Sequence, residues 1–465
     1  MQTMNFFICL LAFIATLFFL PNTVCAKTSL IRNVTAISMQ EPNQLNNVDI
    51  YIEDGVIISI QPTTTSQQYQ ATTTYDATGM YAIPGLWDSH VHLMAFDASQ
   101  KENIENTQFT DIEAQAIANL EQMLSAGITS VVDMGMDASL IPTAKKLRKR
   151  PDLPHLTFSG PLITGPKSPW SKPIETHLAN ADDAKTIVES LHLQGVDFLK
   201  VYDGISESLL FEVARHAKRL NLNIAGHIPF KVTTKNAIKN GIRSIQHTYL
   251  QLVKDCTDLG NEASLAPLSA WMKDGYGGRW QVSSEIYRGR DKTKCTNLYR
   301  ELSSNDVYLV ATPQLDLPLY MVAEEWALET MSAKLKQGCS VTLMQQSKVN
   351  QSIIASRTAD LVEHYRELID AGMKLVAGSD APNDCMGFGR SLVSTLELFV
   401  SLGLSPFEAL QTATLNAADM AGAADQGSIS VGKKADIVLL SNNPMADIRA
   451  LRDVHAVMLN GAWKL

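Results

Sequence analysis

Two histidines separated by one residue, His90 and His92, end the short apolar run that begins at Tyr81. Alternate residues of a β-strand point to the same face, so both imidazoles could bind one metal ion. On its own, this spacing also fits two solvated or hydrogen-bonded histidines. The sequence holds further groups that could join such a site, each at or near the end of an apolar, strand-like run: Lys200, His227, His247 and Asp380.

Apolar strand candidates alternate with amphipathic helices through the middle of the chain, the pattern of parallel βαβ units. We count eight strand candidates, over residues 80–86, 128–134, 155–162, 196–202, 223–227, 244–248, 307–313 and 373–379. Helices are predicted between several of them, over residues 111–126, 206–220, 353–371 and 405–421. Eight strand-helix units predict an α/β fold, a (β/α)8 TIM barrel in which the carboxyl ends of the strands meet at one face. The six candidate side chains would then share one cavity.

Both ends of the chain have a β-rich pattern, with tight turns predicted at Asp54-Gly55 and Asn460-Gly461. Because chain ends often lie close together, we expect the two ends to form one small β-sandwich domain. The predicted division is a signal peptide over 1–26, the sandwich over 27–82 and 427–465, and the barrel over 83–426.

Residues 6–20 are almost wholly apolar, and small residues precede a predicted cleavage point after Ala26. This pattern predicts export to a periplasm or to the exterior, without stable membrane insertion after cleavage. Because no Lys or Arg precedes Phe6, an uncleaved anchor stays an alternative, although the apolar stretch is short for a full span.

The charge pattern argues against a nucleic acid partner. The 465 residues carry a net charge of −9, and the basic run over residues 145–150 is short and isolated. We read that run as the solvated end of a helix. Small molecules are the expected partners, and self-association into a homo-oligomer is left open.

Four cysteines follow the predicted signal, and an oxidising compartment would permit them to pair. Three connectivities exist, and spacing alone does not choose among them. We favour Cys256 with Cys295 and Cys339 with Cys385, because each pair would join loops on one rim of the barrel. Four free buried thiols are the alternative.

Six stretches of the sequence carry a resemblance to one enzyme family. They are Pro84-Gly-Leu-Trp-Asp-Ser-His-Val-His92, Asp197-Phe-Leu-Lys-Val-Tyr202, Ala225-Gly-His227, Ser244-Ile-Gln-His247, Ala377-Gly-Ser-Asp380 and the tail from Gly427 to Leu439. Together they resemble the amidohydrolase superfamily, specifically its imidazolonepropionase-like and prolidase-like (Xaa-Pro dipeptidase-like) members. The resemblance extends from about Leu30 to the end of the chain.

The resemblance implies a site for two divalent ions. His90, His92 and Asp380 would bind one ion, His227 and His247 the second, and a carboxylated Lys200 would bridge the two. A carbamate offers anionic oxygens where an ammonium would be repelled by the cations. Zinc suits these nitrogen and oxygen donors, and manganese or cobalt could occupy the same positions.

The implied activity is hydrolysis of an amide carbon–nitrogen bond by a metal-activated hydroxide, with Asp380 as the catalytic residue that transfers the proton. A dipeptide or an N-acyl amino acid is the expected substrate. Tyr202 and Tyr249 flank the metal motifs and are candidates for donating to the substrate. His177 and Arg390 are candidates for holding a substrate carboxylate.

Two other functions stay open on the sequence. A cyclic-amide hydrolase or deaminase with one metal ion would not need Lys200. A periplasmic binding protein that lost the reaction would not need any of the six positions, yet all six are filled.

Overall fold

The computed structural model describes residues 27–64, 69–94, 109–166, 174–229, 232–248, 250–257, 284–317, 325–329, 331, 333–383 and 385–464. The predicted signal segment therefore lies outside the described residues. The strands, in chain order, are Thr28–Ile37 (β1), Gln44–Glu53 (β2), Val56–Pro62 (β3), Thr73–Asp76 (β4), Tyr81–Pro84 (β5), Leu86–Val91 (β6), Ile128–Asp133 (β7), His155–Phe158 (β8), Leu162–Thr164 (β9), Glu175–His177 (β10), Phe198–Val201 (β11), Asn223–Gly226 (β12), Ile242–Gln246 (β13), Tyr308–Ala311 (β14), Lys374–Ala377 (β15), Ile437–Leu440 (β16), Val454–Leu459 (β17) and Ala462–Trp463 (β18).

Helices follow most of the strands of the central region. They are Phe109–Ser125 (α1), Ile141–Arg148 (α2), Ala181–Gln194 (α3), Glu207–Arg219 (α4), Thr234–Lys239 (α5), Leu250–Val253 (α6), Lys292–Ser304 (α7), Pro313–Asp316 (α8), Glu325–Leu328 (α9), Ala333–Ser347 (α10), Gln351–Asp370 (α11), Arg390–Leu402 (α12), Pro406–Thr412 (α13) and Leu415–Met420 (α14). Among the described residues, none of these helices is both long and apolar enough to cross a membrane.

The central region has a TIM-barrel-like α/β fold. Its strands run parallel in two sheets, one in the order β6-β7-β8 and one in the order β10-β9-β11-β12-β13-β14-β15. The two sheets approach each other where a single parallel bridge joins Val91, at the end of β6, to Ala381, just after β15. The prediction was a closed barrel of eight strands. In the described residues, the hydrogen-bonded strands form two sheets and not one continuous ring.

Three predicted elements differ from those observed. Residues 80–86 do not form the first barrel strand, because β5 belongs to the sheet of the chain ends and β6 is the barrel strand. The predicted strand 155–162 is divided into β8 and β9. The predicted helix 405–421 is divided into α13 and α14, since the carbonyl of Ala413 accepts a hydrogen bond from the backbone of Trp87 rather than continuing the helix.

The two chain ends pair in one eight-stranded sheet, in the order β18-β17-β16-β5-β1-β2-β3 with β4 beside β1. Alternate residues of β16 enter different cores. Ile437 and Leu439 pack in the small core of the ends, whereas Val438 and Leu440 pack in the large barrel core. The sheet is thus shared between two cores. A second sheet layer, which the predicted sandwich needs, is not established, and the domain limits at 82/83 and 426/427 stay predictions.

Both favoured disulfides are confirmed. Cys256 pairs with Cys295 at a Cα–Cα distance of 5.2 Å, and Cys339 pairs with Cys385 at 4.5 Å. The first joins the end of the α6 region to α7, and the second joins α10 to the loop that follows Asp380.

Candidate metal centre

The six residues singled out from the sequence come from the carboxyl ends of the parallel strands. His90 lies within β6 and Lys200 within β11, while the others lie in the residues that follow a strand. Backbone hydrogen bonds across the strand ends fix their positions. The amide of Asp380 donates to the carbonyl of His90 at 2.7 Å, and the amide of His92 donates to the carbonyl of Ala381 at 2.8 Å.

The side chains converge on one buried centre. Asp380 Oδ1 lies 3.2 Å from His90 Nε2 and 3.4 Å from His92 Nε2. The ring of His247 is centred 4.6 Å from that of His90 and 5.0 Å from that of His227. One donor atom from each of His90, His247 and Asp380 lies within 4.8 Å of the others, a grouping that could hold a metal ion.

All four imidazoles are held from outside the cluster through the same atom, Nδ1. The partner of each Nδ1 is Gln246 Oε1 at 2.8 Å for His90, the Gly135 carbonyl at 3.2 Å for His92, Asp203 Oδ1 at 3.0 Å for His227, and Thr312 Oγ1 at 2.6 Å for His247. Such outer partners orient histidine ligands in metal sites and fix their tautomers.

The tautomer follows from the chemistry of three of these partners. A carbonyl and a carboxylate can only accept, so His92 and His227 carry their hydrogen on Nδ1. The amide nitrogen of Gln246 donates to Ser244 Oγ at 2.7 Å, and the hydroxyl of Ser244 donates to the Met420 sulfur at 3.3 Å, which turns the Gln246 oxygen towards His90. In the neutral form of each of these three rings, Nε2 is therefore the nitrogen with the lone pair.

This arrangement fits a cation. The Nε2 of His90 is buried and makes no hydrogen bond within the described part of the chain, although Asp380 Oδ1 is only 3.2 Å away. Burial, partly offset by Asp380, lowers the pKa of His90 to about 4, so the ring is neutral near pH 7. A nitrogen lone pair and a carboxylate oxygen then face each other, a contact that is repulsive until a positive ion stands between them.

Lys200 is buried in the same centre, with 1 % of its surface exposed. Burial, opposed by the charges of Asp380 and Asp203, lowers the pKa of Lys200 to about 7. About half of the amine is therefore uncharged at neutral pH. The charge of Lys200 in turn lowers the pKa of both His90 and His247, so Lys200 lies near both of these histidines.

Asp380 is ionised throughout the ordinary pH range. Burial alone would raise the pKa of Asp380, but on acidification His90 takes up a proton first, and its positive charge, 3.2 Å from Oδ1, holds the pKa of Asp380 well below its usual range. Its backbone has a φ of 57°, and that of His247 has a φ of 66°, both in the left-handed region that non-glycine residues avoid. Strained backbone of this kind is concentrated at functional sites.

Two further buried carboxyls fix the loops that carry the ligands. Asp88 accepts hydrogen bonds from the backbone and hydroxyl of Ser379, at 2.9 and 2.6 Å, and burial raises the pKa of Asp88 to about 7. Asp133 accepts from the backbone amides of Leu93 and Gly135, at 2.8 and 2.9 Å. Each ties a segment next to a histidine or to Asp380.

The residues predicted to bind the substrate do not all lie at the metal centre. Tyr202 packs against His227 with ring centres 4.4 Å apart and ring planes tilted by 44°, so it lies beside the metal centre. His177, on β10, bonds the carbonyl of Gly165 and is exposed at the rim. Arg390 contacts the Trp326 carbonyl and Glu329 at the start of α12, which commits its guanidinium to the protein. Tyr249 lies outside the described residues.

Sequence reasoning missed the residues that orient the ligands. Gln246, Asp203, Asp88 and Asp133 were not assigned, although the first three stand in or beside the quoted motifs. Strand alternation was a usable signal for Asp88 and Gln246, because a polar residue two positions from an inward-facing residue shares its face. For Asp203 the signal was its place three residues after Lys200.

Comparison with known proteins shows which family the chain resembles. A model of the Amidohydrolase family matches residues 81–464. An imidazolonepropionase from Pyrobaculum arsenaticum is 24 % identical over 421 residues, which cover 87 % of this chain and 90 % of that protein.

Solved structures share the fold. A Xaa-Pro dipeptidase with bound methionine in the active site superposes with a TM-score of 0.66 at 18 % identity, covering 94 % of this chain and 99 % of its own. A bottromycin amidohydrolase superposes with a TM-score of 0.71 at 18 % identity, covering 94 % and 87 %. The match over most of the chain shows that this protein belongs to the amidohydrolase family, whose members are hydrolases of carbon–nitrogen bonds.

Proposed function

We propose that this protein is a binuclear-metal amidohydrolase that cleaves the amide bond of a dipeptide or an N-acyl amino acid. The observation that carries the proposal is the buried cluster in which the neutral His90 ring presents the lone pair of Nε2 to the Asp380 carboxylate, with His92 Nε2 on the same oxygen. His90, His92 and Asp380 would hold one divalent ion, and His227 and His247 the other. Zinc suits the donors best, with manganese and cobalt as alternatives.

Lys200 would bridge the two ions as a carbamate. Only an uncharged amine attacks carbon dioxide, and burial brings the pKa of Lys200 to about 7, so the reactive form is abundant at neutral pH. Carboxylation replaces a cation by an anion beside two positive ions, which removes a repulsion and adds two oxygen donors.

Bound metal ions would supply an activated water and polarise the scissile carbonyl. Asp380 lies against both His90 and His92 and would remain anionic, so it can accept the proton of that water. It would then deliver the proton to the leaving nitrogen, which departs as a neutral amine. Tyr202, whose ring packs against His227, would contact the substrate.

Export to a periplasm or the exterior is part of the proposal. Two disulfides in the described residues favour an oxidising compartment, because such bonds are rare in reducing ones. The apolar stretch over residues 6–20 has the composition of a secretory signal.

A second candidate is a cyclic-amide hydrolase that uses one metal ion. Two observations favour it: the full-length curated relative named above is an imidazolonepropionase, and the tightest donor grouping contains only His90, His247 and Asp380. The two candidates differ in the number of ions bound and in the need for Lys200.

Metal counting on the Lys200→Ala variant separates them. In the binuclear enzyme, we expect wild-type protein purified with zinc and bicarbonate to hold about two ions per chain, and the variant about one or fewer, with dipeptide turnover lost. Lys374→Ala, at the opposite end of a barrel strand, is the control and should retain both ions. Unchanged metal content and turnover in Lys200→Ala would contradict the bridge, and one ion per chain in both proteins would favour the one-ion enzyme. A parallel screen of dipeptides, N-acyl amino acids and cyclic amides identifies the substrate class.

A further inference from the structure

His227 is held by three consecutive residues at the end of β11. Its backbone amide donates to the carbonyl of Val201 at 3.2 Å. Its ring packs against Tyr202 with the ring centres 4.4 Å apart and the planes tilted by 44°, and its Nδ1 donates to Asp203 Oδ1 at 3.0 Å. The backbone, the face and the edge of one residue are therefore all fixed by the segment that begins directly after Lys200.

The partner of His227 differs in kind from those of the other rings. Its Nδ1 faces a carboxylate, whereas the Nδ1 atoms of His90, His92 and His247 face an amide oxygen, a backbone carbonyl and a hydroxyl. Of these partners, a carboxylate forms the strongest hydrogen bond to the Nδ1–H group of an imidazole. It thereby makes the opposite nitrogen, Nε2, more basic and a stronger metal ligand. Both Asp203 and His227 are buried, so water screens this interaction little.

The two halves of the cluster also differ in charge. The half with His90 and His92 contains the Asp380 carboxylate itself. The half with His227 and His247 has two imidazoles and no carboxylate among its proposed ligands. Asp203 therefore supplies this half with a negative charge in hydrogen-bond contact with a ligand, without occupying a coordination position.

We propose that Asp203 is the positioning residue of the second metal site, acting through His227. The inference rests on the proposed binuclear centre and goes beyond it, since it assigns the strength of one site to a residue that touches neither ion. The end of β11 would then contribute to the second site twice: Lys200 bridges, and residues 201–203 hold His227.

Cobalt titration of three variants in the full-length protein tests the assignment. Wild-type protein, stripped with a chelator and titrated with Co²⁺ and bicarbonate, should bind two ions, each followed by visible absorption. In Asp203→Ala, one of the two affinities should fall about 10- to 100-fold, while the other stays unchanged. The absorption bands of the weakened ion should shift, because the position and donor strength of His227 change.

Asp203→Asn keeps a hydrogen-bond acceptor but removes the charge, so the same affinity should fall by a smaller factor. Asp197→Asn is the matched control. Asp197 directly precedes β11, and its carboxylate contacts Arg148 and the backbone amide of Phe158. This substitution should leave both metal affinities unchanged. If Asp203→Ala does not fold, Asp203→Asn decides.

Two failures are distinguishable. Two ions bound with wild-type affinities and spectra in the Asp203 variants would overturn the role of Asp203 alone. A single ion bound by the wild-type protein would overturn the binuclear centre, and the second-site role of Asp203 with it.

Discussion

At the scale of single residues, the centre depends on groups that would never touch a substrate. Gln246 accepts from His90 through its oxygen and donates through its nitrogen to the Ser244 hydroxyl, which itself donates to the Met420 sulfur, so these contacts fix one orientation of the amide. That orientation decides which nitrogen of His90 carries the hydrogen, and it leaves the lone pair on the Nε2 that faces Asp380. A neutral glutamine one residue before His247 thus sets the chemistry of a ligand 156 residues away.

Replacing this glutamine should weaken metal binding without removing a ligand. In Gln246→Leu, the Nδ1 of His90 loses its acceptor, so the ring can rotate or change tautomer. We expect the affinity for the ion bound by His90 to fall about 10- to 100-fold, measured by competition with a chelator. Gln426→Leu, which removes a buried glutamine that accepts from Ser130, is the control. Equal affinities in wild type and Gln246→Leu would contradict the role of Gln246.

His364 should make the stability depend on pH. It lies buried among the rings of Tyr287, Tyr299 and Tyr365, and burial, with Arg357 and Arg290 adding to it, lowers the pKa of His364 from 6.5 to about 3. The unfolded chain therefore binds a proton below about pH 6.5 that the folded chain refuses. Stability from the neutral ring is complete above pH 6.5 and is lost as the pH falls towards 3.

Urea unfolding of wild type and His364→Phe at two pH values measures this effect. Between pH 7.5 and 5.5, the free energy of unfolding of wild type should decrease by about 1.4 kcal/mol relative to that of the variant. Over this range the histidine of the unfolded chain, with a pKa of 6.5, takes up a proton that the folded chain does not bind. Groups common to both proteins cancel in the difference. A difference that stays constant over this range would contradict the assignment.

The ligand residues could be predicted from sequence because each combines a distinctive side chain with a strand end. His90, His227 and Asp380 have few structural uses at such positions, and the barrel pattern gathers them. Their partners could not be predicted in the same way. Asp88 and Asp203 are ordinary in composition, and their importance follows from contacts between strands remote in sequence, such as the bond from Asp88 to Ser379, 291 residues away.

At the scale of elements, strand boundaries were the weakest predictions. The run from residue 80 looks like one strand, yet β5 and β6 join different sheets. Periodicity cannot show this division, because both strands are buried on both faces and lack the alternation that marks a half-exposed strand. The polar residues Asp88-Ser89-His90 lie within β6, because their side chains are buried in contacts with other strands.

The disulfides stabilise elements that follow the strand ends. Cys256–Cys295 closes a loop of 39 residues that anchors the α6 region to α7. The Cys256→Ser/Cys295→Ser double variant should lose about 2 to 4 kcal/mol in free energy of unfolding, since the unfolded chain regains the entropy of that loop. Urea unfolding with and without reductant measures the loss. Reductant should destabilise wild type more than the double variant, which keeps only Cys339–Cys385; equal effects on both would contradict a formed bond.

At the scale of the whole molecule, the shared sheet joins two cores into one cooperative unit. Leu439 faces the small core and Val438 the barrel core, from adjacent positions of β16. Neither core can lose this strand without exposing the other. We therefore expect the chain ends and the barrel to unfold together.

Leu439→Ala tests this coupling. Leu439 is fully buried, so the substitution should cost about 2 to 5 kcal/mol through a cavity in the small core. Metal-centre absorption of the cobalt protein and far-ultraviolet circular dichroism should both shift to lower urea by the same amount. Leu193→Ala, at a side chain that is 82 % exposed, should change stability by less than about 0.5 kcal/mol. A metal-centre transition that stays at the wild-type urea concentration would show that the two cores are independent.

The position of β16 also fixes when the molecule can be completed. This strand stands between β5 and β17 in the middle of the shared sheet, yet it is synthesised after the entire barrel. Until β16 has been synthesised, one edge of β5 has no strand to pair with, and both cores lack the side chains that β16 contributes. A nascent chain of this design cannot complete either core until almost all of it has been translated, and under the export proposed above that delay would keep the polypeptide unfolded for passage across a membrane.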